Sequence, residues 1–395
     1  MTQVDEFPAV SSTDIALAMT TLKDTAMTLM FHAEMIPPIT DSVGDAVQRS
    51  LPPLAPHGQL TSYSTFLASR PPVFETCAID EIVSLAHLAP QLHLHIVHLS
   101  ATECIPVLRA ARRAGVNITA ETCFHYLGLA ADDIDDGDTR HKCCPPIRSQ
   151  VNQDGLWAEL AAGPDSVIRT VVSDHSPCTP ELKLLPNHLQ PAATPADDSD
   201  LDVADDELRP TLIHHSDSGI DVTFTDGPHG GAARSTIDKT APARPLSRQT
   251  NPGDFFAAWG GISSVGLGLP ILHTAALARG RHGPSVVDMV RLCCQATAAQ
   301  VGLSHRKGGL AVGMDGDVCV FDDAAVWTLC PAEMRWRNRC SPWEGRVFRG
   351  RVAETWLRGR KVFELGGDND GFVGKSPVGE AITERRTARA DPTLP

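Results

Sequence analysis

Short apolar segments alternate with helix-like segments through the first half of this chain, and no other feature of the sequence restricts its fold as strongly. The apolar segments have the length and composition of buried parallel strands, and they occupy residues 27–31, 92–98, 117–123 and 166–173. The helix-like segments before and between them occupy residues 11–23, 71–89 and 102–114. Strands that alternate with helices form βαβ units, so the sequence predicts an α/β fold with a parallel sheet.

Two of these helices carry signals at their ends. Ser12 or Thr13 is a plausible N-cap of the first helix, because a hydroxyl at this position accepts a hydrogen bond from a free amide of the first turn. Gly115 follows the third helix, and glycine commonly ends a helix there.

Polar side chains follow the predicted strands at their carboxyl ends: His32, His98, His125, Asp174 and His175. In parallel sheets, chemistry gathers at this edge. Neutral imidazoles and carboxylates that converge there can bind one or two divalent ions. We therefore take His32, His98 and Asp174 as candidate metal ligands. For His125 and His175, a role in substrate binding or in supporting a ligand is as well founded as ligation.

Two other patterns compete with this interpretation. His93 and His95 form an H-x-H pair, but they precede the last histidine of their strand, and we expect them to be structural. Cys143 or Cys144 beside a histidine would suit a thiolate nucleophile. Residues 143–148 contain two prolines and are more typical of a rigid loop that presents backbone groups to a substrate.

Composition excludes several classes of protein. The net charge of -14 argues against a nucleic-acid partner, because a phosphate-binding surface must be basic. The 11 cysteines show no C-x-x-C spacing, and we expect reduced thiols. The first ten residues do not resemble a signal peptide, and no apolar run reaches the roughly 20 residues of a membrane span. We expect a cytoplasmic protein.

Residues 1–183 hold the alternating strands and helices. Residues 184–252 are rich in Pro, Asp, Ser and Thr and contain one aromatic residue, which predicts a disordered insertion. A disordered segment cannot hold a rigid site, so we exclude His214, His215 and His229 as metal ligands.

Helices return in residues 253–305, where we predict them over 253–278 and 285–300. Residues 306–365 contain short strand-like runs separated by Gly and Asp turns, which predicts a small β module. Residues 366–395 have the composition of a disordered tail.

Several segments resemble, in order, the allantoinase family of metal-dependent cyclic amidohydrolases: MTLMFHAE (27–34), HIVHLS (95–100), ETCFHY (121–126), KCCPPIR (142–148), VSDHSP (172–177) and WGGIS (259–263). The segment KGGLAVGMDGD (307–317) is similar to a C-terminal signature of amidohydrolases with a β-sandwich. Dihydroorotases and dihydropyrimidinases share the H-x-x-H-x-S and strand-end Asp patterns. The combination of SDHSPC with WGGI favours allantoinases.

The resemblance implies part of a (β/α)8 TIM-like barrel, namely its C-terminal strands and helices, followed by a small β-sandwich. It also implies a metal centre with two divalent ions, usually zinc, and hydrolysis of allantoin to allantoate in purine degradation. The resemblance also implies that the protein is a homo-oligomer, which in the family is a tetramer.

Roles carry over by position. His32 and His98 match metal ligands, and Asp174 matches a carboxylate that binds one metal and takes the proton of the attacking nucleophile. Cys143, Cys144 and Gly260 match positions that line the substrate pocket, mostly through the backbone. His175, beside Asp174, joins them as a substrate-binding candidate.

The family's first-strand H-x-H pair and its carbamylated bridging lysine would precede residues 3–8. We therefore expect this chain to lack them, together with about four strands. Lys23 falls late in a helix and is no substitute. Three readings stay open: a metal-dependent cyclic amidohydrolase, acting on allantoin or on a dihydropyrimidine or dihydroorotate ring; an inactive truncated homologue; and a cysteine-dependent hydrolase.

Overall fold

A parallel sheet of four strands forms the centre of the first half of the chain. The computed structural model describes residues 10–37, 54–190, 251–280, 283–374 and 376–383. The strands pair in sequential order, and they are β1 (Thr28–Phe31), β2 (His93–Ile96), β3 (Ile118–Cys123) and β4 (Ile168–Val172). Each strand lies within a segment that the sequence predicted, so the α/β class and the parallel sheet are confirmed.

Helices before, between and after these strands complete the first half: α1 (Ser12–Leu22), α2 (Tyr63–Ser69), α3 (Val73–Leu85), α4 (Cys104–Arg113), α5 (Phe124–Gly128) and α6 (Gln150–Leu160). The N-cap of α1 is Ser11, which shares a capping box with Asp14, so the prediction of Ser12 or Thr13 was wrong by one or two positions. Gly115, with φ of +89°, ends α4 as predicted. No helix in the described ranges has the length and apolar character that crossing a bilayer requires.

Buried polar side chains fix the register of the parallel strands. Thr119 Oγ1 on β3 lies 2.7 Å from His93 Nε2 and 2.8 Å from His95 Nδ1, both on β2. Thr28 on β1 reaches the other nitrogen of the His93 ring at 3.0 Å, and Glu121 on β3 reaches His95 at 3.1 Å. A shift of one residue would separate all of these partners. His93 and His95 therefore have the structural role that their position predicts.

The second half begins with an irregular segment where a helix was predicted. Only Gly268–Arg279 (α7) is helical within the predicted 253–278, and this prediction was wrong for residues 253–267. Gly253, Gly261 and Gly266 have φ values of +80°, +155° and +79°, which a right-handed helix does not allow. The predicted helix over 285–300 is present as α8 (Val286–Val290), a π-turn, and α9 (Ala296–Gln300).

An antiparallel sheet follows, with strands β5 (Val318–Thr328), β6 (Val347–Leu357) and β7 (Arg360–Glu364). It packs on α7, where the amide of Arg349 donates to Thr274 Oγ1 at 2.9 Å. The described residues thus contain one parallel and one antiparallel sheet. The family resemblance also implies a closed barrel and a two-layered β-sandwich. Both stay predictions.

Ordered structure extends past two of the predicted boundaries. Leu185 is buried, and the amide of Gly253 donates to the carbonyl of Leu184, so residues 184–190 pack against the protein. Residues 191–250, which include His214, His215 and His229, lie outside the described residues. In the predicted tail, the amide of Val373 donates to Val362 of β7 at 3.0 Å.

Replacing Thr119 with valine tests the polar register contacts. The variant Thr119→Val keeps the shape of the side chain but removes the hydroxyl that contacts the buried imidazoles of His93 and His95, so we expect the free energy of unfolding to fall by about 2–3 kcal/mol. Urea unfolding measures it. Thr20→Val, on the exposed face of α1, is the matched control and should change the free energy by less than about 0.5 kcal/mol. Equal losses in both variants would contradict the structural role of this ladder.

Candidate active site

Side chains that can bind a metal lie where the four parallel strands end: His32 after β1, His98 after β2, Cys123 and His125 at the end of β3, and Asp174 after β4. We call these five residues the strand-end rim. His32 Nδ1 and His98 Nε2 face each other at 3.0 Å. One ligand atom each from Cys123, His125 and Asp174 lie within 4.8 Å of one another. The structure therefore brings the predicted pair of histidines together and groups Asp174 with two further donors.

The imidazole of His32 is oriented by a buried carboxylate. Glu34 Oε2 lies 2.9 Å from His32 Nε2, and Arg70 Nη1 donates to the same oxygen at 3.0 Å. Burial, the largest cause, and the neighbouring His98 lower the pKa of His32 to about 3, so the ring is neutral at pH 7. Burial would raise the pKa of Glu34, but Arg70 and His32 outweigh it and hold this pKa well below its usual range. A carboxylate behind a neutral imidazole is the arrangement that orients a metal-binding histidine.

Two of the rim residues have left-handed backbone conformations that are uncommon outside glycine. The φ value is +39° at His98 and +46° at Asp174. Such conformations cost of order 1–3 kcal/mol and concentrate at functional sites. Buried Nδ1 of His98 also has no hydrogen-bond partner among the described residues. Both observations favour a role in binding rather than in packing.

His125 is the clearest addition to the rim that the structure makes. Its side chain is buried, and neither ring nitrogen has a hydrogen-bond partner among the described residues. Burial, the main cause, and His98 lower the pKa of His125 to about 4, although the charge of Asp174 opposes them. A buried polar group without a partner is costly, and a ligand at the rim would satisfy it.

Three loop segments that carry the predicted substrate-binding residues are joined by hydrogen bonds beside the rim. The amide of Gly261 donates to the carbonyl of Lys142 at 2.8 Å. The amide of Ser176 donates to the carbonyl of Ile262 at 3.0 Å. Residues 142–144, 174–176 and 259–264 therefore adjoin one another. Sequence reasoning predicted substrate contacts from each segment, at Cys143, Cys144, His175 and Gly260.

The ring of His175 is fixed in one orientation. Its Nδ1 accepts hydrogen bonds from the amides of Ser264 at 2.9 Å and Val265 at 3.0 Å. Burial lowers the pKa of His175, so the ring is neutral at pH 7 and carries its proton on Nε2. His175 therefore offers an N–H donor beside Asp174.

The chemistry of Cys143 argues against a cysteine nucleophile. Its thiol is buried and donates to the carbonyl of Pro145 at 3.3 Å. Burial, with a smaller effect of Asp174, raises the pKa of Cys143 to about 12. A thiol with this pKa is protonated at neutral pH and is a weak nucleophile.

Sequence reasoning missed several residues of the site. Glu34 carried a usable signal, because residues two apart in an extended segment share a side, and His32 was already a candidate. Arg70 carried none, since its partner is 36 positions away. Cys123 looked like one more scattered cysteine at the end of an apolar strand. Lys142 and Lys183, both buried, were not considered as parts of the site.

No family model matches the chain. Among curated proteins, it is similar to an allantoinase of Saccharomyces cerevisiae, with 36% identity over 385 residues that cover 97% of this chain and 64% of that protein. An allantoinase of Streptomyces avermitilis is 32% identical over 363 residues, which cover 92% of this chain and 62% of that protein. The chain thus spans somewhat less than two thirds of the length of these relatives.

Solved structures of similar fold are hydantoinases. A D-hydantoinase (dihydropyrimidinase) from a Thermus species superimposes with a TM-score of 0.65 at 20% identity, over 96% of this chain and 65% of that one. An L-hydantoinase from Arthrobacter aurescens gives 0.61 at 21% identity, over 91% and 62% of the two chains. At this identity the likeness concerns the fold.

Adjacent glycines at the pocket respond differently to a side chain. A Cβ on Gly260 would meet only Lys142 Cε at 3.7 Å, whereas one on Gly261, with φ of +155°, would lie 2.4 Å from the carbonyl oxygen of Ser176. We expect Gly260→Ala to keep the melting temperature within about 2 °C and Gly261→Ala to lower it by at least about 5 °C. Thermal unfolding of the two variants measures this. Equal melting temperatures would contradict the packing of the 259–264 segment on residues 174–176.

Proposed function

The chain belongs to the allantoinase family, and on this premise we propose that the whole protein hydrolyses allantoin to allantoate in purine catabolism. The observation that most supports this is the convergence of the His32 and His98 ring nitrogens at 3.0 Å on the edge of the sheet that Asp174 also occupies. Imidazoles that meet at the strand ends, on the same sheet edge as a carboxylate, suit a metal-dependent hydrolase.

The residues present fit a divalent metal, which we propose to be zinc. His98 Nδ1 and both nitrogens of His125 are buried without a partner in the described part of the chain. His32, His98 and Asp174 would hold the metal, and His125 and Cys123 lie close enough to Asp174 to add donors. The chemistry that the metal supplies when bound is polarisation of the ring carbonyl and activation of water.

The protein's own groups would carry out the proton transfers. In our proposal, the Asp174 carboxylate accepts a proton from the attacking water and returns it to the ring nitrogen as the C–N bond breaks. The Glu34 carboxylate binds His32 Nε2 by a hydrogen bond and so fixes the orientation of the His32 ring. His175, with its proton on Nε2, would donate to a substrate carbonyl, and the backbone of Cys143, Cys144 and Gly260 would line the ring.

The remaining organisation is part of the same proposal. The parallel sheet would belong to a (β/α)8 barrel with residues 1–183 and 253–305, and residues 306–365 to a β-sandwich module. Residues 184–252 would form an insertion and residues 366–395 a tail, with the ordered margins described above. A cytoplasmic homo-oligomer acting on a small molecule completes it.

Hydrolysis of a dihydropyrimidine or hydantoin ring is the second candidate, which the fold of the solved hydantoinases supports. Allantoin ranks first because the similarity to allantoinases is higher and covers nearly the whole chain. Parallel assays with allantoin, hydantoin, dihydrouracil and dihydroorotate separate the candidates. A kcat/KM for allantoin below those for the other rings would overturn this ranking.

Asp174 tests the proposed chemistry. In the full-length gene product that contains this chain, Asp174→Asn should lower kcat for allantoin by at least about 1,000-fold, because the amide cannot accept the proton. The melting temperature should stay close to that of the unchanged protein. Asp136→Asn, at an exposed loop position, is the control and should keep full activity. Near-normal turnover in Asp174→Asn would rule out its role as the base.

Metal removal distinguishes a metal-dependent hydrolase from an inactive homologue and from a cysteine-dependent hydrolase. Dialysis against a chelator should abolish allantoin hydrolysis, and added zinc should restore it, because the rim donors would be left without their ion. Iodoacetamide at neutral pH should leave activity intact, since the buried Cys143 thiol is protonated. Inhibition by iodoacetamide without any effect of the chelator would favour the cysteine hydrolase. Protein that is inactive as purified and neither binds zinc nor gains activity when zinc is added would favour an inactive homologue.

A further inference from the structure

Two lysines beside the candidate pocket are buried almost completely. Lys142 is 1% exposed and Lys183 is 3% exposed. Lysine is rarely buried to this extent, because its ammonium group loses hydration that other groups must replace. The mechanism proposed above does not use either of them.

Both ammonium groups bind backbone carbonyls of one short segment. Lys142 Nζ donates to the carbonyls of Phe256 at 3.3 Å and Ala258 at 2.6 Å. Lys183 Nζ donates to those of Trp259 at 3.0 Å and Gly261 at 2.6 Å. Four of the six carbonyls in residues 256–261, which we call the clamped loop, are thus taken by two lysines. This also explains why the predicted helix does not form there.

These contacts fix the direction of the Gly260 amide. In a planar trans peptide the N–H points opposite to the C=O. Because the Trp259 carbonyl points at Lys183, the N–H of Gly260 in the same peptide points away from it. This amide is buried and has no acceptor among the described residues, whereas the neighbouring amides of Trp259 and Gly261 have one each. Gly260 is the residue of this loop that the family resemblance places at the substrate.

The clamped loop continues directly into the segment beside Asp174. Ile262 pairs with His175 in a parallel bridge, and its amide donates to Ser176 Oγ at 3.3 Å. A change in the loop would therefore alter the position of the segment beside Asp174.

We propose that Lys142 and Lys183 are positioning residues that hold the clamped loop so that the Gly260 N–H is directed at a carbonyl of the cyclic amide. This inference rests on the proposed function. The lysines act through the loop and not on the reacting atoms. Burial lowers the pKa of Lys183, and nearby acidic groups, among them Asp138, oppose this effect.

The first test is independent of substrate. In the full-length protein, Lys183→Met and Lys142→Met should increase amide hydrogen exchange over residues 257–262 by at least about tenfold, because the carbonyls lose their donors. Thr119→Val, which destabilises the sheet away from the loop, is the control and should leave this exchange near its original rate. Unchanged exchange in both lysine variants would overturn the proposal even if the protein proves to have no hydrolase activity.

The second test is kinetic. Lys183→Met should raise KM for allantoin about tenfold with a smaller change in kcat and an unchanged metal content, as loss of one oriented hydrogen bond predicts. Lys307→Met, which removes an ammonium group paired with Asp315 and Asp317, should leave KM unchanged. If Lys183 acts through the Gly260 N–H, the double variant with Gly260→Pro, which has no amide hydrogen at this position, will show less than the product of the two single effects. Independent, multiplicative effects would refute the route through Gly260.

Discussion

A carboxylate and a guanidinium are buried together where the turn after β2 meets the loop of the two adjacent cysteines. Arg148 Nη2 donates to Glu75 Oε1 at 2.7 Å, and Glu75 Oε2 accepts from the amides of Ser100 and Ala101 at 2.9 and 3.1 Å. Arg148 also donates to the carbonyl of Arg70 at 3.3 Å. Because Ser100 follows His98 by two positions and Arg70 binds the carboxylate behind His32, this pair positions both histidines and the substrate loop.

Such a pair is better suited to fixing geometry than to adding stability. Burial, the largest cause, raises the pKa of Glu75, and Arg148 and the two amides oppose it. The attraction of a buried pair roughly offsets the cost of removing its charges from water, but an unpaired member would cost about 3–5 kcal/mol. A placement of this turn that separates Glu75 from Arg148 would leave a buried charge unpaired. The ion pair thus selects one arrangement of His98, although that arrangement requires a left-handed backbone.

The sequence predicted what depends on local patterns. Strands β1 to β4 were predicted correctly because buried parallel strands are short apolar runs. His32, His98 and Asp174 became candidates because they lie at the ends of such runs. Contacts between distant positions were not predictable, since no local pattern links Lys183 to Gly261, 78 positions away, or Arg70 to Glu34. The helix predicted over 253–278 is absent from residues 253–267, where glycines have positive φ and lysines distant in sequence bind carbonyls of residues 256–261.

The candidate site lies in loops and irregular segments and not within helices or strands, and there is an energetic reason for this. Inside helices and paired strands the N–H and C=O groups bind one another, so few of them remain for a small ring. Directing the Gly260 amide outward requires carbonyls that are bound from the other side, which the two buried ammonium groups provide. The left-handed backbone conformations of His98 and Asp174 each cost of order 1–3 kcal/mol, and they too lie at the candidate site. Stability is thus lowered at the residues that would meet the substrate and maintained by the buried contacts directly behind them.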